Sequence, residues 1–120
     1  MARSPPAFAL IDLKLGGESG LALIQPLRTL LVLLGERLRA GLDEVAGRHG
    51  FGLRQTGPAQ MPLIMVDDDP TGAKGYFWNN ALLKRGVYFH PWHNMFLSAA
   101  HTEADVQATV DAAAEVFKTL

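Results

Sequence analysis

The chain has 120 residues, 48% of them apolar, and a formal net charge of −1. That length holds one domain at most, and so balanced a charge gives no electrostatic case for nucleic acid or an anionic membrane as partner. Cysteine is absent, which excludes disulfides and thiolate metal sites and is compatible with a reducing, cytoplasmic setting.

Met1 to Gly20 shows no clear period, and Pro5-Pro6 and Gly16-Gly17 break it. Residues 1–20 are therefore expected to be a poorly structured segment ahead of a domain over 21–120. Leu21 to Leu34 is strongly apolar, but Gln25, Pro26 and Arg28 interrupt it. A spanning helix needs ~20 consecutive apolar residues, and a signal peptide needs a cleavage site where this run meets Gly35-Glu36-Arg37. Neither is expected.

Leu27, Leu31, Leu34, Leu38, Leu42 and Val45 recur at spacings of three and four, one face of an amphipathic helix. Charged residues fill its other face only in the second half. The helix should end near Arg48-His49-Gly50, where a basic last turn meets glycine. Phe51 to Gln55 reads as a short strand and Thr56-Gly57-Pro58 as a turn. Met61 to Val66 reads as a buried strand, with Pro62 confined to its start because proline donates nothing to a ladder. Asp67 to Gly72 is a loop, and Ala73 to Arg85 a second helix stopped by Gly86. Val87 to Phe89 and Met95 to Ser98 read as strands joined by a polar connection. Thr102 and Asp105 fit a capping box, and Val106, Val110, Ala113 and Phe117 form the apolar face of a last helix. The order is α-β-β-α-β-β-α. It predicts an α+β fold, with a small, largely antiparallel sheet and helices packed on one face.

Several clusters could carry chemistry. His90 and His93 lack an obvious third ligand, so no metal site is expected. Asp67, Asp68 and Asp69 cannot all face one ion without a special loop, and read better as a solvated turn. Ser98 and His101 lack a nucleophile elbow, and His101-Thr102 reads better as the organiser of the last helix.

Four blocks resemble one family: Gly35 to Leu42 (GERLRAGL), Gly57 to Leu63 (GPAQMPL), Leu83 to Pro91 (LKRGVYFHP) and Phe96 to Asp105 (FLSAAHTEAD). In this order they are similar to the C-terminal small domain of class III, fold-type I pyridoxal-phosphate aminotransferases, which include glutamate-1-semialdehyde 2,1-aminomutase. The resemblance covers about Gly35 to Leu120. Met1 to Leu34 departs from the pattern, as a truncated or shifted reading frame ahead of the domain would explain. The short link His90 to Met95 departs from the aminomutase branch and leans towards a transaminase.

The resemblance implies amino-group transfer on pyridoxal phosphate in the intact family, with amino-acid or keto-acid substrates. The family's cofactor lysine, pyridine-nitrogen acid and phosphate donors have no match here. Lys14, before Gly16-Gly17, imitates the lysine only superficially. The chain alone is therefore expected to be inactive and to bind no cofactor, with no catalytic, cofactor-binding or metal residue of its own. His90, Trp92, His93, Asn94 and Phe96 are the expected substrate-binding residues, on a loop at the active-site mouth. The expected partner is a large cofactor domain, or a second copy through exposed apolar surface. The alternative is a non-enzymatic α+β module that binds a small molecule or a partner chain.

Overall fold

A computed structural model of the protein describes residues 20–120. The expectation for the N-terminal segment, and Lys14 with it, lies outside the described residues.

A 3₁₀ turn over Gly20–Leu23 leads into α1, Ile24–Arg48. The helix buries the later part of the expected stripe, with Leu34, Leu38, Leu42 and Val45 in the core, while Leu27 and Leu31 stay half-buried. It ends as its sequence requires. Gly50 adopts φ +67°, and Phe51 N–H turns back to the Ala46 carbonyl at 2.9 Å. Its first ten residues, Ile24 to Leu33, include no buried side chain.

β1 (Leu53–Thr56) and β2 (Leu63–Val66) form an antiparallel pair, with Leu53 opposite Val66 and Gln55 opposite Ile64. These four residues share a face, and Ile64 and Val66 are buried on it. Gln55 ties the pair to α1, donating from Nε2 to the Arg39 carbonyl and to Asp43 Oδ1, both at 2.8 Å. Arg39 Nη2 answers with a 2.7 Å bond to the Gly57 carbonyl.

α2 spans Ala73–Leu83. The acidic run before it plays a structural part. Asp69 Oδ2 accepts from Gly75 N–H at 2.8 Å, satisfying a donor in the first turn of α2. The helix stops two residues short of the expected Arg85. Val87 N–H reaches back to Leu82 O at 3.1 Å, and Gly86 takes φ +82°.

The two later strands are a correction: neither Val87 to Phe89 nor Met95 to Ser98 is a strand. The second segment comes close. Met95 N–H donates to Pro62 O at 2.9 Å and Leu97 N–H to Gln60 O at 3.0 Å. A regular ladder needs return bonds, and Pro62 has no N–H to give. Val87 has its own N–H committed to closing α2. The observed order is α1-β1-β2-α2-α3 after the 3₁₀ turn, an α+β fold with a two-stranded sheet.

α3 spans Glu103–Phe117 and opens with the expected capping box. Asp105 N–H donates to Thr102 Oγ1 at 3.2 Å, and Thr102 N–H donates to Asp105 Oδ2 at 2.7 Å. The helix lies against α1, where Gly41 leaves room for Val110: a Cβ there would sit 2.6 Å from a Val110 methyl. Trp78 is fully buried, stacked on Phe117 with centroids 5.6 Å apart and an interplanar angle of 8°. Each large apolar side chain so buried stabilises the fold by roughly 1.5–3 kcal/mol.

Candidate functional site

The segment from Gly86 to Ser98 is irregular but held. Val87 N–H fastens its start to α2, and Met95 and Leu97 fasten its end to residues 60–62. Asn94 adds a side-chain tie, Nδ2 to the Met61 carbonyl at 3.3 Å. Between these anchors the loop carries the expected site residues.

Three of the five meet. The Trp92 ring stands edge-on to His90, with centroids 5.4 Å apart, and His90 stands edge-on to His93 at 4.7 Å. Trp92 N–H donates to His90 Nδ1 at 3.3 Å. Phe96 is 67% exposed and lines a different cavity. Asn94 serves the loop's own geometry through its amide nitrogen. Among the described residues no group of three or more His, Cys, Asp or Glu could hold a metal ion.

The cluster extends to residues that the sequence pattern did not single out. Tyr76, on α2, packs edge-on against Trp92 at 4.9 Å. Tyr76, Phe77 and Trp78 are consecutive on a helix, and one face cannot bury all three. Trp78 is buried, whereas Tyr76 and Phe77 stay exposed. That run of aromatics was the available signal.

Two cavities flank the segment. One of about 340 Å³ lies between α1, the segment and the start of α3, reaching from Leu38 and Val87 to His101 and Asp105. The other, of about 200 Å³, lies between α2 and the stretch from Tyr88 to Trp92. At the polar end of the first, His101 Nδ1 accepts from Ser98 N–H at 3.0 Å, with Ser98 Oγ 3.2 Å away. The imidazole nitrogen nearest the hydroxyl is thus occupied by backbone, which suits a turn before a helix cap and not a nucleophile–base pair. Thr102 bonds, hydroxyl before backbone N–H, hold the Asp105 carboxyl below the usual carboxylate range, with a smaller pull from His101.

A pyridoxal-phosphate site needs a lysine, an acid at the pyridine nitrogen and phosphate donors, all facing one pocket. The described residues do not fit. Lys74, Lys84 and Lys118 are exposed, and none lines either cavity. Lys74 donates to Asp68 O, and Lys118 pairs with Glu115.

No family model matches the chain. Individual proteins do. The chain is 53% identical over 113 residues to an aminopentol aminotransferase of Sphingopyxis macrogoltabida, covering 94% of this chain and 25% of that protein. It is 41% identical over 81 residues to a glutamate-1-semialdehyde 2,1-aminomutase of Delftia acidovorans, covering 66% and 18%. Among solved structures it superposes on the FumI protein of Sphingopyxis sp. MTA144, described in its PLP internal aldimine form. The TM-score is 0.79 and the identity 51%, over 83% of this chain and 25% of that one. An omega-transaminase from Sphaerobacter thermophilus matches with a TM-score of 0.69 at 27% identity, over 82% and 26%. The chain thus spans about a quarter or less of these proteins. A match of 113 residues is longer than Gly35 to Leu120, so the likeness continues upstream of Gly35. The expected break at Leu34 is corrected: it falls inside α1, which runs without interruption from Ile24. By sequence and by fold, the chain matches class III pyridoxal-phosphate aminotransferases, at a small C-terminal portion of those enzymes.

Proposed function

We propose that this chain acts as the small domain of a cytoplasmic, pyridoxal-phosphate-dependent aminotransferase, and that its anchored aromatic loop borders the substrate mouth. The observation that carries the reading is the half-identical match to an aminotransferase over nearly the whole chain. The loop geometry supports it. His90, Trp92 and His93 form one aromatic ridge, Trp92 and His93 exposed and His90 half-buried, in a segment fixed at both ends by backbone hydrogen bonds. Such a ridge can exclude water from a mouth without collapsing into it. Asn94 keeps the ridge in place, and Phe96 presents apolar surface beside it. The cofactor is assigned to a separate large domain, because the described residues offer no lysine in a cavity. The substrates are amino and keto acids or related amines, and the chain alone performs no transfer.

Co-expression with the upstream three quarters of the Sphingopyxis relative tests this reading. The chain should co-purify with that portion and restore amine-dependent turnover, and Trp92→Ala should weaken turnover without weakening co-purification. Failure to co-purify would overturn the domain assignment. A single lysine of the chain trapped by borohydride reduction with pyridoxal phosphate, together with turnover by the chain alone, would overturn the division of labour.

A further inference from the structure

Met95 stands where the aromatic loop closes on itself. Its N–H is held by the Pro62 carbonyl at 2.9 Å, and its sulfur accepts the His90 N–H at 3.4 Å. The start of the loop is thus tied to its end. His90 N–H has no other partner among the described residues, and no other methionine sulfur there accepts a hydrogen bond. The His90 ring packs on both Trp92 and His93. What holds the His90 backbone therefore helps to place all three rings.

A thioether is a weak acceptor and an oxidisable one. The described residues include three methionines, Met61, Met65 and Met95, all half-buried. Met95 lines the cavity of about 340 Å³, and Met61 and Met65 do not. A space of that size holds several molecules as small as water, each taking roughly 30 Å³. Hydrogen peroxide is little larger, so it has a route to this side chain. The hydrogen bond engages one lone pair of the sulfur and leaves the other to react.

We propose that Met95 is an oxidation site, and that its conversion to the sulfoxide by a hydroperoxide opens the clasp on His90 and loosens the aromatic loop. The sulfur lone pair attacks one peroxide oxygen, an S–O bond forms and the O–O bond breaks. The second oxygen takes up the proton of the transferred one and leaves as water. Sulfur loses two electrons and the peroxide gains them. An N–H···O bond is about 2.9 Å long, so the new oxygen cannot enter the gap between nitrogen and sulfur without driving the two apart. If it turns away instead, it puts a polar group among Val87, Phe89, Leu97 and Val106, which share the cavity wall. Either way the clasp is lost. The modification site goes beyond the mouth reading and stands without it, because every group it uses lies in this chain.

Graded hydrogen peroxide on the full chain tests this, with peptide mass mapping for the site and amide exchange for the loop. Met95 should gain one oxygen ahead of Met61 and Met65. The singly oxidised chain should exchange the His90 amide at least threefold faster, with the Ile64 and Val110 amides unchanged. Met95→Leu keeps an apolar side chain but has no acceptor. It should exchange His90 fast from the outset and show no further response to peroxide. Met61→Leu with Met65→Leu should respond as the unaltered chain does. Slower oxidation of Met95 than of either other methionine would overturn the assignment of the site. A His90 amide unmoved by the Met95 sulfoxide, or by Met95→Leu, would overturn the clasp. None of these outcomes bears on the co-purification test.

Discussion

Met95 N–H donates to the carbonyl of Pro62, and Pro62 cannot donate in return. The segment from Met95 to Leu97 therefore lies alongside residues 60–62 held by half a ladder. It places the aromatic loop without extending the sheet.

Hydrogen exchange should read that half-ladder directly. The amides of Met95 and Leu97 are bonded, and the Phe96 amide between them has no backbone partner. Met95 and Leu97 should exchange slowly and Phe96 quickly. Uniform protection across the three would mean a complete strand, and uniform fast exchange a detached loop.

Thr102→Ala should cost about 0.5–2 kcal/mol, because it strips the cap from α3. Thr102→Ser should recover most of that. Denaturant unfolding of the three proteins decides it, and equal midpoints would place the helix start elsewhere.

Asp105 gives the cap a pH dependence with a defined sign. Its folded pKa is lowered by the bonds from Thr102. Its contribution is therefore present above its unfolded value of about 3.9 and is lost as pH falls through the depressed folded value. Asp105→Asn should flatten that part of the acid limb of stability against pH. An unchanged acid limb would show that the capping bonds do not persist in solution.

Two glycines of α1 should respond oppositely to alanine. A Cβ at Gly35 would lie 2.2 Å from the Ala59 carbonyl oxygen, so Gly35→Ala forces backbone apart, at a cost of about 1–3 kcal/mol. A Cβ at Gly47 meets nothing within 4 Å, and Gly47→Ala should stabilise by roughly 0.5–1 kcal/mol. Matching shifts for the two would sink the packing argument.

The exposed apolar residues predict association in the absence of a partner. Leu33 on α1 is 58% exposed, and Phe77, Tyr88 and Phe96 are exposed elsewhere. Sedimentation at rising concentration should show self-association, weakened by Leu33→Glu. A monomer at every concentration, with no binding of a hydrophobic dye, would contradict this.

Local signals were legible in the sequence, and long-range ones were not. The stripe from Leu34 to Val45 is written at helical spacing, and Thr102 with Asp105 forms a cap whose partners lie three residues apart. Val87 to Phe89 and Met95 to Ser98 have strand composition, but a strand also needs a partner with N–H groups to share. Pro62, far away in sequence, removes one. The candidate site divides in the same way. His90, Trp92 and His93 are neighbours in the chain and meet in space. Tyr76 joins them only because α2 docks Trp78 into the core and leaves the preceding ring outside.

The two halves of α1 make it a lever. Its second half is indexed against the body at two points, Gly35 on the Ala59 backbone and Gly41 on Val110, so it can neither slide nor roll by a residue. Its first ten residues include no fully buried side chain, with Leu30 alone among them packed partly against the core, yet they continue the same helix for ~15 Å. A tilt of the body by a few degrees is carried along that arm as a displacement on the order of an ångström at its tip.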